Sequence, residues 1–260
     1  MRPTRALAAL LALLLVGAGA AAVAQGERTQ HGNLIVALDG GLAPLTLPRD
    51  RPAPVSVRLA GGLQTDDGGL LPRVTRIELG LPGQGKLSTR GLPVCTVRRI
   101  ANALPAKAVE RCGDALVGSG RLVADVLLPN QQPFQVKARL LVFNGRVEGR
   151  RAMLLHGFAR KPPAVVVLPF FLQRRHDGRF ETVLVGDLPP RLGPWPHFAQ
   201  FEMTISRRYV YRGRERSFLS ASCPIPRRFT AGFFSFAKAT FTLEDGRQVS
   251  TGIARGCRAR

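Results

Sequence analysis

Residues 207–216 carry five arginines (Arg207, Arg208, Arg212, Arg214 and Arg216) with Tyr209 and Tyr211 between them. Guanidinium forks suit phosphate, sulfate and carboxylate, and interleaved tyrosines stack on sugars or bases, so this run is the best candidate binding element. In a strand the two-residue period puts Tyr209 and Tyr211 on the face of Arg207, with Lys238 or Arg228 a sixth cation if the fold brings one close. The plainer reading is a hairpin tip whose arginines are solvated and whose tyrosines cover the edge of the core. Trp195, the single Trp, lies in Gly193-Pro-Trp-Pro196, where it can serve a binding loop or plug one end of the fold.

Other chemistry is thinly represented. No G-x-S-x-G elbow occurs, and Ser220 and Ser222 lie in an expected strand beside Cys223. His156 reads as a satisfied core or edge residue and His176 as a turn residue; His31 and His197 lack neighbours at ligand spacing. Asp66-Asp67-Gly68-Gly69 lacks the alternating ligand spacing of a calcium loop and reads as a surface turn. Gly-rich stretches lack the Lys-Ser/Thr of a phosphate loop. No cofactor, metal or catalytic residue is expected.

Cys95, Cys112, Cys223 and Cys257 are an even set without a C-x-x-C spacing. Of three connectivities, Cys95–Cys112 and Cys223–Cys257 are favoured, each bracketing one supersecondary unit. Such loops contribute roughly 3 and 4 kcal/mol in the chain-entropy model.

The elements that position these residues are strands. Short apolar runs alternate with Gly- and Pro-rich turns from residue 33 to 255. They predict strands at 34–38, 53–59, 74–79, 120–128, 134–143, 152–158, 164–173, 179–185, 199–211, 217–222, 234–243 and 247–253. Asp177-Gly178 and Asp245-Gly246 predict two-residue hairpins, and Asn144-Gly145 opens a longer connection over 144–150. One short helix is expected at 105–111, with Pro105 in its first turn. Four prolines make 187–197 an ordered connection. The fold expected is all-β: an antiparallel sandwich, immunoglobulin-like or jelly-roll-like, occupying 33–260, with a subdivision, if any, near 113–120.

The stretches Leu87-Ser-Thr-Arg-Gly-Leu-Pro-Val-Cys95, Asp114-Ala-Leu-Val-Gly-Ser-Gly120 and Arg216-Ser-Phe-Leu-Ser-Ala-Ser-Cys223 resemble a group of uncharacterised secreted β-rich proteins of GC-rich bacteria. The resemblance covers most of the chain after residue 24. It implies an exported, disulfide-bonded domain and assigns no activity.

Arg2 and Arg5 precede an apolar run from Ala6 to Val16, and Ala22-Val23-Ala24 follows, which together read as a signal peptide over 1–24. Residues 25–32 are expected to form a flexible lead. The net charge is +21, and only five of 38 basic residues are Lys, a skew that GC-rich coding also produces. A surface so basic attracts polyanions with a strength that falls as salt rises. The leading expectation is an exported, non-enzymatic domain in the cell envelope or medium. Its Arg-rich surface would engage an anionic polysaccharide, a teichoic-acid-like polymer, a membrane surface or an acidic partner, with no specific nucleic acid. The alternatives are a carrier of a small apolar ligand and, third, a cryptic hydrolase.

Overall fold

The computed structural model describes residues 26–177, 179–189 and 196–260, with side chains of 176 and 177 excepted. Among these, eighteen strands dominate. The main sheet contains β1 (Glu27–His31), β2 (Leu34–Ala43), β3 (Thr46–Leu47), β5 (Ser56–Thr65), β6 (Val74–Pro82), β8 (Leu116–Val126) and β9 (Phe134–Val147). It continues through β10 (Arg150–Ala159), β11 (Ala164–Asp177), β12 (Phe180–Asp187), β13 (Pro196–Ile205), β17 (Ala231–Leu243) and β18 (Gln248–Ala259). Their spatial order is β1-β2-β5-β13-β8-β9-β10-β11-β12-β6-β17-β18-β3, antiparallel except for the parallel β18–β3 pair. A three-stranded sheet joins β4 (Ala53–Pro54), β16 (Leu219–Ala221) and β7 (Gly85–Leu87), and β14 (Arg208–Tyr211) pairs with β15 (Arg214–Ser217).

The main sheet curls until its flanks meet. Thr29 Oγ1 and Thr251 Oγ1 are hydrogen-bonded at 2.8 Å, His31 Nε2 lies 2.8 Å from the Ser250 carbonyl oxygen, and Arg255 donates to Asp39 and to the Gly40 carbonyl. Register shifts in β8–β9, β13–β8, β11–β12 and β17–β18 supply the bends that a flat sheet lacks. One hydrophobic cluster fills the inside, built by alternate residues such as Leu34, Val36 and Leu38 of β2 and Phe201, Met203 and Ile205 of β13.

A second cluster lies on the outside of the shell. Helices α1 (Val97–Ile100) and α2 (Pro105–Cys112) cover Leu141, Phe143, Ala152 and Leu154 on β9 and β10, pinned by Cys95–Cys112. Cys223–Cys257 ties β18 to the chain after β16, so both favoured bridges are present.

The β content, the helix at 105–112 and the two disulfides match the sequence reading. Four features differ. Residues 27–31, expected to be a lead, form β1, because pairing with β2 satisfies their backbone and the flank of β18 receives their side chains. The expected strand 199–211 breaks after Ile205, and residues 208–217 become a separate hairpin. The connection expected over 144–150 is shorter: β9 continues through Asn144-Gly145 to Val147, and the turn is Glu148-Gly149, where φ is +50° and +76°. Asn144 is buried inside β9 and donates to the Pro93 carbonyl at 2.8 Å, while a Cβ on Gly145 would meet Leu154 Cγ at 2.5 Å. Finally, the strand expected at 120–128 is β8, which begins four residues earlier at Leu116 and pairs with both β9 and β13.

Candidate functional site

The Arg-rich run is the β14–β15 hairpin, turned by Arg212 and Gly213 at positive φ. Residues directly opposite across the pair share a face, so Tyr209 and Arg216, and Tyr211 and Arg214, lie on one side. Arg208, Val210, Glu215 and Ser217 lie on the other. The tyrosines face the protein: Tyr209 donates its hydroxyl to the Arg90 carbonyl at 2.9 Å, and the Tyr211 ring occupies the space where Gly91 would carry a Cβ. They are anchors, with Arg212 stacked 5.4 Å from the Tyr211 ring centroid. Among the described residues Arg207, Arg208, Arg212, Arg214 and Arg216 make no ion pair, and Arg207 precedes the hairpin with its Nε buried. Lys238 lies midway along β17 and Arg228 in the loop before it. Trp195 lies outside the described residues, as does part of the expected connection 187–197.

The interior offers what the sequence did not locate. Eleven strands, from β2 around to β18, enclose it. About eight strands make a barrel that side chains can fill, so a wider shell leaves space. Two apolar cavities lie end to end. One, about 160 Å³, is lined by Ile77, Leu122, Leu140, Gly157, Val166 and Phe198 among others, with Arg73 at its rim. The other, about 90 Å³, is lined by Leu42, Leu59, Met153, Leu184, Ile205 and Phe236 among others, with Lys86, Gln84 and Ser220 of the small-sheet end at its rim. Leu79, Leu155, Phe170 and Met203 line both and form the waist between them. No single lining residue carries a motif; only the assembled period-2 pattern around a wide sheet makes the space.

The outer wall is charged. Glu202 of β13 accepts from Arg58 of β5 and Arg121 of β8, Arg76 pairs with Asp187 at 2.7 Å, and Arg175 pairs with Glu78 at 2.8 Å. The hydrogen bonds from Arg121 and then Arg58 hold the Glu202 carboxyl below its ordinary value. Such a wall suits water; transmembrane strands turn apolar residues outward. Among the described residues no helix is long and apolar enough to cross a membrane, and no group of His, Cys, Asp and Glu is placed to hold a metal ion.

His156 and Asp67 have structural surroundings. His156, fully buried under the helices, has Nε2 2.8 Å from the Ala103 carbonyl oxygen. Asp67 accepts from the Gly69 N–H at 2.9 Å, closing a surface turn. Two disulfides fit an oxidising setting. No family model, curated protein or solved structure matches the chain.

Proposed function

We propose that the protein is an exported, non-enzymatic carrier that holds a small apolar molecule inside its curled sheet. In this reading the facing halves of the shell act as the two layers of the expected sandwich, and the ligand lies between them. The observation that carries it is the pair of apolar cavities meeting at the waist of Leu79, Leu155, Phe170 and Met203. An apolar cavity of about 150 Å³ stays dry and accepts benzene. The 160 Å³ cavity therefore suits one aromatic ring or about six carbons, and both together roughly ten if the waist side chains turn aside.

Gly157 provides the test. It faces the larger cavity, and a Cβ built there meets only Leu140 Cδ2 at 3.6 Å and the Val166 carbonyl oxygen at 3.8 Å. Gly157→Val should fill the space without collision. Toluene should raise the melting temperature of the native protein and leave that of Gly157→Val unmoved, since only a ligand that binds the folded state stabilises it. Equal shifts in both, or none with toluene or short alkyl chains in the native protein, would sink the carrier reading.

The hairpin supports a second reading, retention of a soluble anionic polymer in the envelope. Its support is the set of hairpin arginines without carboxylate partners. Arg208, Arg212 and Arg214 changed together to Gln should then weaken retention on a polyanion resin more than Arg121, Lys137 and Arg139 changed together on the wall. Equal losses would mean that net charge alone is at work.

A further inference from the structure

The two ends of the curled sheet differ in charge. At the end of the smaller cavity, the connections 43–56, 82–91, 206–218 and 222–233 carry eleven cations and two carboxylates. At the opposite end, 66–73, 127–133, 160–163, 244–247 and the described residues 187–189 carry four cations and five carboxylates. The basic end also exposes apolar side chains. Phe233 at the start of β17 is 87% exposed, Leu45 is 54% exposed and Phe229 is 47% exposed.

These three residues gather at one corner that is tied down. The Arg258 N–H donates to the Leu45 carbonyl and the Ala259 N–H to the Thr230 carbonyl, both at 2.9 Å. Arg49 donates to the carbonyls of Ile225, Pro226 and Phe229. The Cys223–Cys257 bridge holds the base. Around the apolar tips stand Arg51, Arg227, Arg228 and Arg258, all exposed and, among the described residues, outside every ion pair. The nearby Asp50 is the one carboxylate in these segments of the corner.

We propose that this corner docks the protein on an anionic lipid surface, with Phe229, Phe233 and Leu45 entering the interface and the arginines meeting headgroup phosphates. A fixed corner gives the phenyl rings no route to burial within the protein, whereas an interface takes apolar tips and cations together. A soluble polyanion would use the arginines and leave the rings in water. Docking stands apart from the carrier reading, but it would place the rim of the smaller cavity toward the lipid.

Co-sedimentation of the full chain with vesicles tests this. Mixed phosphatidylglycerol and phosphatidylcholine vesicles should bind the protein, pure phosphatidylcholine far less, and rising salt should release it. Phe229→Ser with Phe233→Ser should weaken vesicle binding about tenfold while leaving retention on a polyphosphate resin unchanged. Arg227, Arg228 and Arg258 changed to Gln should cost at least about tenfold, and more than the wall triple of Arg121, Lys137 and Arg139. Absence of binding to the anionic vesicles overturns the proposal. So does indifference to the Phe changes, which would indicate polyanion attraction alone. Unchanged melting temperatures certify that the variants fold, and the toluene shift measured without vesicles decides the carrier reading separately.

Discussion

Gly157 shows how one position can set both stability and binding. It lies on the inner face of β10 beside open space, and a glycine within a strand costs roughly 0.5–1 kcal/mol relative to a residue with a side chain. Gly157→Val should therefore raise stability by about 1 kcal/mol or more, measured by urea unfolding, as it removes the ligand's space. Asn144 behaves in the opposite way. Its buried amide satisfies the part-buried Pro93 carbonyl, so Asn144→Leu should cost about 1 kcal/mol by leaving that carbonyl without its donor. A loss below a few tenths would show that the carbonyl finds water. In the sequence, Asn-Gly signals a turn; the structure uses the pair for a hydrogen bond from a buried side chain and a close approach, which no local pattern reveals.

Elements were legible where a local rule fixes them. Pro105 and the Ala-rich turn after it mark a helix, and the apolar alternation marks most strands. The helix α1 has only four residues and no side-chain cap, so nothing local announces it. The tyrosines of the hairpin read as candidate stacking rings because a strand pattern carries no information about what lies behind it; the 88–91 loop lies behind them. The helical flap makes a prediction at this scale. Cys95→Ser with Cys112→Ser should cost roughly 3 kcal/mol and loosen the flap, uncovering Leu141, Phe143 and Leu154. Binding of an apolar dye should rise while the β circular dichroism persists. Loss of the β signal instead would mean that the flap and shell unfold as one unit.

At the scale of the whole molecule, the sequence shows many antiparallel strands but not how they are ordered, because β-pairing between distant segments leaves no local trace. The five polar residues of β1 look like a tail, yet they help to close the shell against β18. That closure is also why the carrier alternative had no residues attached to it: a filled sheet and an eleven-stranded curl share the same alternation, and only the count around the ring leaves cavities.

Between β2 and β18 the shell is joined by side chains, with no backbone ladder linking the two strands. Arg255, 14% exposed at its side chain, carries the join through Asp39 and the Gly40 carbonyl. A seam without a ladder should open at lower free energy than the paired strands. Arg255→Gln should therefore cost about 1–3 kcal/mol, since both acceptors lose a charged donor. It should also speed amide exchange in β2 and β18 ahead of β9 and β10, and quicken toluene entry. The Arg58–Glu202–Arg121 array behaves differently because it lies on an exposed wall. Its carboxyl is held below its ordinary value, so its stabilising effect is complete above that value and fades only as pH falls through the lowered one. Exposure keeps that effect small. Seam opening should accordingly respond to Arg255→Gln at neutral pH, where Glu202→Gln leaves exchange in β2 and β18 nearly unchanged. Uniform acceleration across all strands in Arg255→Gln would mean that the shell opens globally and that the seam is no entry route.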